Sequence, residues 1–216
     1  MNLTEGSYAQ ADLRFLLPLT AGQSIGVLGD ARPLVSILEE NGLSVTSLSS
    51  CLDQPLSIVV GVGNHADLDH IIVPEFFHDS LGSCLTHISQ WLKPGGWLLI
   101  GFHNSESLYR PLLKKDAKNK PRFSLRKCTR ALEKSGFRVV CYYGTYDKLQ
   151  NPRVLIPLDN KPAVDYFFRS IYTPISRSLA LLQPLALLLA NTGFQRVLFR
   201  GFVIVAQRET HRDHAE

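Results

Sequence analysis

Several features are missing from this 216-residue sequence, and each omission narrows what the chain can be. The four cysteines, Cys51, Cys84, Cys128 and Cys141, are scattered and form no C-x-x-C pair, so neither a zinc knuckle nor a disulfide framework is indicated. The opening residues carry neither a basic region nor an apolar core of the secretory kind, so a cytoplasmic protein with reduced thiols is expected. No apolar run reaches the roughly 20 residues that a membrane-spanning helix requires. Long repeats and low-complexity tracts are absent. A net charge of +4 permits acidic partners without demanding them. What is present is 45% hydrophobic content, enough for one α/β domain over residues 1–216 and short for two independent cores.

The most informative stretch runs from Leu92 to Asn104. Before it, Leu81, Leu85, Ile88 and Leu92 recur at helical spacing and predict an amphipathic helix. Pro94 cannot continue that helix, and Gly95 and Gly96 are suited to a sharp turn. Trp97 to Phe102 is nearly unbroken apolar sequence, as expected of a strand covered on both faces in a largely parallel sheet. His103 and Asn104 then stand just beyond its carboxyl end, where open α/β sheets bind ligands.

Other strands are predicted over residues 23–29, 43–48, 56–62, 69–74, 137–143 and 201–206, with helices over 34–40 and 124–136. Gly42 and Gly136 serve as helix stops, and a short lead-in helix is expected before Pro18. Strands alternating with helices predict a mostly parallel sheet with right-handed crossovers. Between the last two strands lies an insert over about 144–200, with a proline-punctuated loop and two helices broken at Pro174 and Pro184. It is expected to cap the ligand edge.

This order of parts resembles class I S-adenosylmethionine-dependent methyltransferases. Leu92-Lys-Pro-Gly-Gly-Trp-Leu-Leu-Ile100 is similar to the family's fifth-strand segment, Leu68-Asp-His-Ile-Ile-Val73 to its fourth strand, and Leu132-Glu-Lys-Ser-Gly-Phe-Arg-Val139 to its approach to strand six. The resemblance implies a three-layer α/β/α, Rossmann-like fold: a seven-stranded sheet, mostly parallel with an antiparallel last strand. It also implies S-adenosylmethionine over the carboxyl ends of strands one, two and four. Carried onto this chain, the cofactor-binding candidates are Gly26, Gly29, Asp30, Ser49 and Pro74. The cofactor motif departs from the family: Ala31 and Pro33 stand where further glycines are usual, and serines stand where strand two normally ends in an acidic residue.

Methyl transfer needs nucleophile and methyl carbon held together and dry, with a general base only where the nucleophile carries a proton. Catalytic candidates are Glu75 and His78 after the fourth strand and His103 after the fifth, the histidines because imidazole titrates near neutrality. Asn104 and Asp79 lie beside them, and Asp79-Ser80 reads equally as a helix cap. Tyr143 and Tyr146 could face substrate or simply pack. No metal site is expected, since the histidines have no helical pair and no carboxylate at ligand spacing.

The expected reaction is methyl transfer to an oxygen or nitrogen of a small molecule in biosynthetic metabolism. A hydrophobic or phosphate-bearing substrate would suit the basic tract Arg110 to Arg130 and the greasy stretch Leu179 to Phe194 with its arginine border. The rival readings are a methyltransferase-like enzyme turned to cyclisation, rearrangement or lyase chemistry, and a non-catalytic partner subunit. A peripheral membrane or lipid-linked substrate and a homodimer fit the apolar insert, whereas nucleic acid is not favoured because exposed aromatics do not interleave with the basic residues.

Overall fold

The computed structural model describes residues 16–28, 32–48, 67–76, 80–108, 120–145, 149, 152, 154–171 and 194–210. The elements run β1 (Ser24–Val27), α1 (Arg32–Glu40), β2 (Ser44–Ser47), β3 (Leu68–Val73), α2 (Leu81–Trp91), β4 (Leu92–Asn104), β5 (Arg122–Phe123), α3 (Leu125–Lys134), β6 (Phe137–Thr145), β7 (Leu155–Pro157), α4 (Lys161–Tyr166) and β8 (Gly201–Arg208). A π-helical turn, Phe167–Ile171, continues α4, and a 3-10 turn, Phe194–Leu198, precedes β8. The expected strand over 56–62, most of the lead-in helix and the insert's helices over 172–193 lie outside the described residues.

The sheet order is β2-β1-β3-β4-β8-β6-β7, with β5 adding on to the end of β4. Strands β1 to β4 are parallel, whereas β8 runs antiparallel between β4 and β6. The sequence pattern explains the centre. Leu98 to Phe102 and Gly201 to Ala206 are buried throughout, because helices cover both faces there. Helix α1 places Leu34 and Leu38 on one face with Ile25, Val27, Ile72 and Leu99. Helices α2 and α3 place Leu85, Ile88, Cys128 and Leu132 on the other with Leu98, Ile100 and Phe102.

Two expectations change. The turn expected at Pro94-Gly95-Gly96 is instead a bulge inside β4: the helix stops at Trp91, Leu92 is already extended and pairs Leu68, and regular pairing resumes at His70 and Trp97. Gly95, at φ +78°, takes up the surplus chain, so the proline and glycines are absorbed without breaking the strand. Part of the insert expected as loop, Leu155–Pro157, forms the edge strand β7, where Pro157 needs to donate no ladder bond. With β5, the described residues supply eight strands. Among the described residues no helix is long and apolar enough to cross a membrane.

At the amino edge, Asp69 ties three strands. Its carboxylate accepts from Ser24 N (2.9 Å), Ser24 Oγ (3.0 Å) and Lys93 Nζ (2.9 Å). Burial pushes its pKa up, but these donors prevail and hold it at about 2. At the opposite edge the chain leaves β3 and folds back over β4: Phe76 N donates to Gly101 O (2.8 Å), and the Pro74 carbonyl lies where a Cβ on Gly101 would stand. Gly101→Ala is therefore expected to destabilise by about 1–3 kcal/mol through backbone displacement. Gly82→Ala, on the exposed face of α2 with open space around it, should stabilise by about 0.5–1 kcal/mol. Denaturant unfolding of the two variants checks both signs.

Candidate active site at the carboxyl edge of the sheet

The carboxyl ends of β1, β2, β3 and β4 open at one edge. Leu28 N donates to Ile72 O (2.9 Å) and Leu48 N to Val27 O (2.8 Å), so the ladder runs one residue past β1 and β2. Gly29, Asp30 and Ser49 follow those ends in the chain and lie outside the described residues, as does His78. Gly26 sits inside β1, where the Leu48 and Leu68 side chains occupy the space a Cβ would need. Packing accounts for that glycine. Pro74 is buried against Gly101 in the crossing described above.

Glu75 and His103, 28 residues apart in sequence, meet here. The His103 Nε2–H donates to Glu75 Oε1 at 2.6 Å. Lys120 Nζ donates to the same oxygen at 2.5 Å. The Glu75 side chain is 3% exposed, His103 16% and Lys120 34%, so the carboxylate is inside and the two donors reach inward from the rim. Burial would push the Glu75 pKa up, yet the bonds from His103 and Lys120 outweigh it and hold the carboxyl below its ordinary value. An ionised carboxylate is an acceptor only, which assigns the proton to Nε2 and turns Nδ1 to other uses.

Local structure explains why these three converge. Successive strand residues point to opposite faces, so Phe102 enters the core under α2 and α3 while His103 projects to the other side. Phe76, next to Glu75, packs on Phe102 with ring centroids 5.4 Å apart. Phe123 packs on both, at 5.9 and 5.8 Å. The Phe123 strand, β5, pairs Arg122 with His103 and Phe123 with Asn104, which delivers Lys120 to the site. Each polar member is thus fixed through an aromatic neighbour on the core side.

Asn104 has a different task. Its Nδ2 donates to Arg196 O (2.7 Å) and Phe199 O (3.0 Å), and its Oδ1 accepts from Glu106 N (2.9 Å). It clamps the strand end to the segment leading into β8. Tyr143 stands two strands away from β4, since Gly101 pairs Val203 and Val203 pairs Tyr143. Its hydroxyl accepts from Cys141 Sγ (3.6 Å) and lines a shallow cleft with Asp159 and Lys161. Burial leads the causes that push its pKa up to about 12, so it stays protonated. Tyr146 lies outside the described residues.

Lys120 was not singled out by sequence reasoning, being one cation among many in a basic tract. The available signal was local: a residue before Pro121 is held extended and feeds the short strand β5. The arrangement as a whole is a buried carboxylate orienting an imidazole, which can accept a proton at Nδ1.

The linkage has a definite sign. With its folded pKa depressed, Glu75 contributes stability that is complete above the ordinary glutamate value of 4.5 and is lost as pH falls through the lower folded value. Glu75→Gln should cost about 2 kcal/mol at pH 7, since it removes two charge-assisted bonds from a buried group. The variant should also lose this part of the acid-induced drop. Thermal midpoints from pH 7 to pH 3 for both proteins measure it.

No protein-family model matches the chain, and no curated protein matches it. Solved structures do. A SAM dependent methyltransferase from Archaeoglobus fulgidus superposes with a TM-score of 0.55 at 16% identity, covering 92% of each chain. Phosphoethanolamine N-methyltransferase 2 of Haemonchus contortus, solved with phosphomonomethylethanolamine and S-adenosylhomocysteine, gives 0.50 at 13% identity, over 93% of this chain and 52% of that one. The shared property at such identities is architecture: this chain has the fold of the class I S-adenosylmethionine-dependent methyltransferases.

Proposed function

We propose that the chain is an S-adenosylmethionine-dependent methyltransferase that methylates an oxygen or nitrogen of a small molecule. The observation that carries the reading is the buried Glu75–His103–Lys120 cluster at the carboxyl ends of β3 and β4 in a sheet of this order. An imidazole held by a buried carboxylate at the edge where α/β sheets hold ligands supports a proton-accepting role for His103.

The residues at the other half of that edge suit the cofactor. Parallel β1 and β2 end side by side, with Val27 opposite Ser47. The chain then supplies Gly29 for close backbone approach, Asp30 for a charged amino group and Ser49 for ribose hydroxyls. Gly26 and Pro74 contribute by packing, Gly26 against Leu48 and Leu68 and Pro74 against Gly101. Bound there, the cofactor would supply a methyl group on a sulfonium, ready for in-line displacement. The protein's own part is to hold the acceptor atom near His103 and to take its proton at Nδ1, while Glu75 and Lys120 keep the ring in place. The order of gain favours positioning first and proton transfer second, about 10²–10⁴-fold for the latter. A phosphate-bearing small amine and a biosynthetic setting belong to the same reading, the former because one structural neighbour was solved with phosphomonomethylethanolamine.

Calorimetric titration with S-adenosylhomocysteine should show saturable one-to-one binding to the wild type and equally to His103→Ala. With labelled S-adenosylmethionine and a panel of small amines and phenols, including phosphomonomethylethanolamine, His103→Ala should lower kcat by about 10²–10⁴-fold with the fold intact. Absence of any binding of the adenosyl compound would end the methyltransferase reading.

A further inference from the structure

Helix α3 is amphipathic in an unusual way. It buries Leu125, Cys128 and Leu132 and exposes Arg126, Lys127, Arg130 and Lys134, with Glu133 the only acid on the element. Arg126, Arg130 and Lys134 are spaced i, i+4, i+8, so they form one stripe about 12 Å long, and Lys127 stands beside its start. Together with Ser124 and Ala131 these four cations line a shallow groove on the outer surface of the helical layer. Lys127 lies over the Phe123 ring at 5.3 Å, which holds it in place.

Two points set this face apart. Among the described residues Arg138, Lys161, Arg196 and Arg208 also form no ion pair with a carboxylate, but they are scattered over four elements, whereas the four α3 cations without such a pair share one helix. The Arg126–Arg130 and Arg130–Lys134 pairs are also like-charge neighbours, which weakens the helix. Alternating signs would serve the helix better.

We infer that this face docks the protein on an anionic lipid bilayer. The cations spread along about 12 Å of helix and the groove they line is shallow, which matches an extended array of phosphates and carboxylates better than one small anion. An RNA partner would call for exposed aromatics to stack bases, and the one aromatic here, Phe123, is 4% exposed and committed to the core. Phe123 pairs with the carboxyl end of β4 and Phe137 starts β6 at the opposite edge, so α3 begins at the candidate active site and runs away from it. Docking along α3 therefore lays the open edge beside the membrane, whichever reaction that edge performs.

The test is flotation of the full chain with vesicles of phosphatidylcholine alone and of phosphatidylcholine with 30% phosphatidylserine. Wild type should bind the anionic vesicles only, and release in 0.5 M NaCl, where screening acts over roughly 4 Å. Arg126→Gln, Arg130→Gln and Lys134→Gln together keep helix-forming side chains, and should leave circular dichroism and adenosyl-compound binding unchanged. They should weaken vesicle binding about a hundredfold, at about fivefold per neutralised cation. No vesicle binding by the wild type, equal binding by the triple variant, or binding to a 20-nucleotide RNA in place of vesicles would each overturn the inference. None of these results bears on whether the edge binds S-adenosylhomocysteine.

Discussion

A carboxylate kept from water must be answered by charge, and the Glu75 side chain sets that condition for the whole carboxyl edge. Its answer comes from two segments distant in sequence, one the last residues of β4, the other just before β5. Neither donor could reach it unless β4 ran its full length and β5 paired onto its end. The ionic contact and the sheet therefore stabilise one another. The bonds outweigh the burial penalty by enough to lower the carboxyl's pKa, so the balance favours the charged cluster.

The cluster is held from below by apolar contact. Phe76, Phe102 and Phe123 share a core cluster with α2 and α3, and each belongs to a segment that also carries a member of the polar set. Alternation along β4 does the sorting, since Phe102 and His103 leave opposite faces of the same strand. Precision on the polar side thus derives from close packing on the other, where rings fit with little freedom to shift.

The fold was largely legible because its signals are local. Unbroken apolar stretches marked the double-covered strands, and Ser124 and Gly136 marked the ends of α3, where the Ser124 hydroxyl accepts from Lys127 N (3.2 Å). Pro94-Gly95-Gly96 misled in detail, because a bulge and a turn demand the same residues. The site was legible only as separate strand tips. Glu75 and His103 could be named from their positions, but their contact spans 28 residues and depends on sheet order. Lys120 could not be named, since its partner lies 45 residues away and its own neighbourhood is uniformly basic. Asn104 looked equally chemical at strand-tip level and proved to be a backbone clamp, a distinction that resides in what surrounds it.

The pairing of Thr145 with Gly201 has a consequence for how such a chain could change over time. Between these two positions the described residues add β7 to the sheet and bury Val164, Phe167, Phe168 and Phe199 in the core, and the chain returns one strand spacing from where it left β6, at the edge that carries the candidate site. Chain whose ends are already held by packed structure can change length at a cost that grows only with the logarithm of its length, whereas β7 and the buried phenylalanines can be exchanged only at the cost of core packing. The central strands need not alter to accommodate it. Length can thus vary between the packed pieces while the strands that carry Glu75 and His103 stay constant.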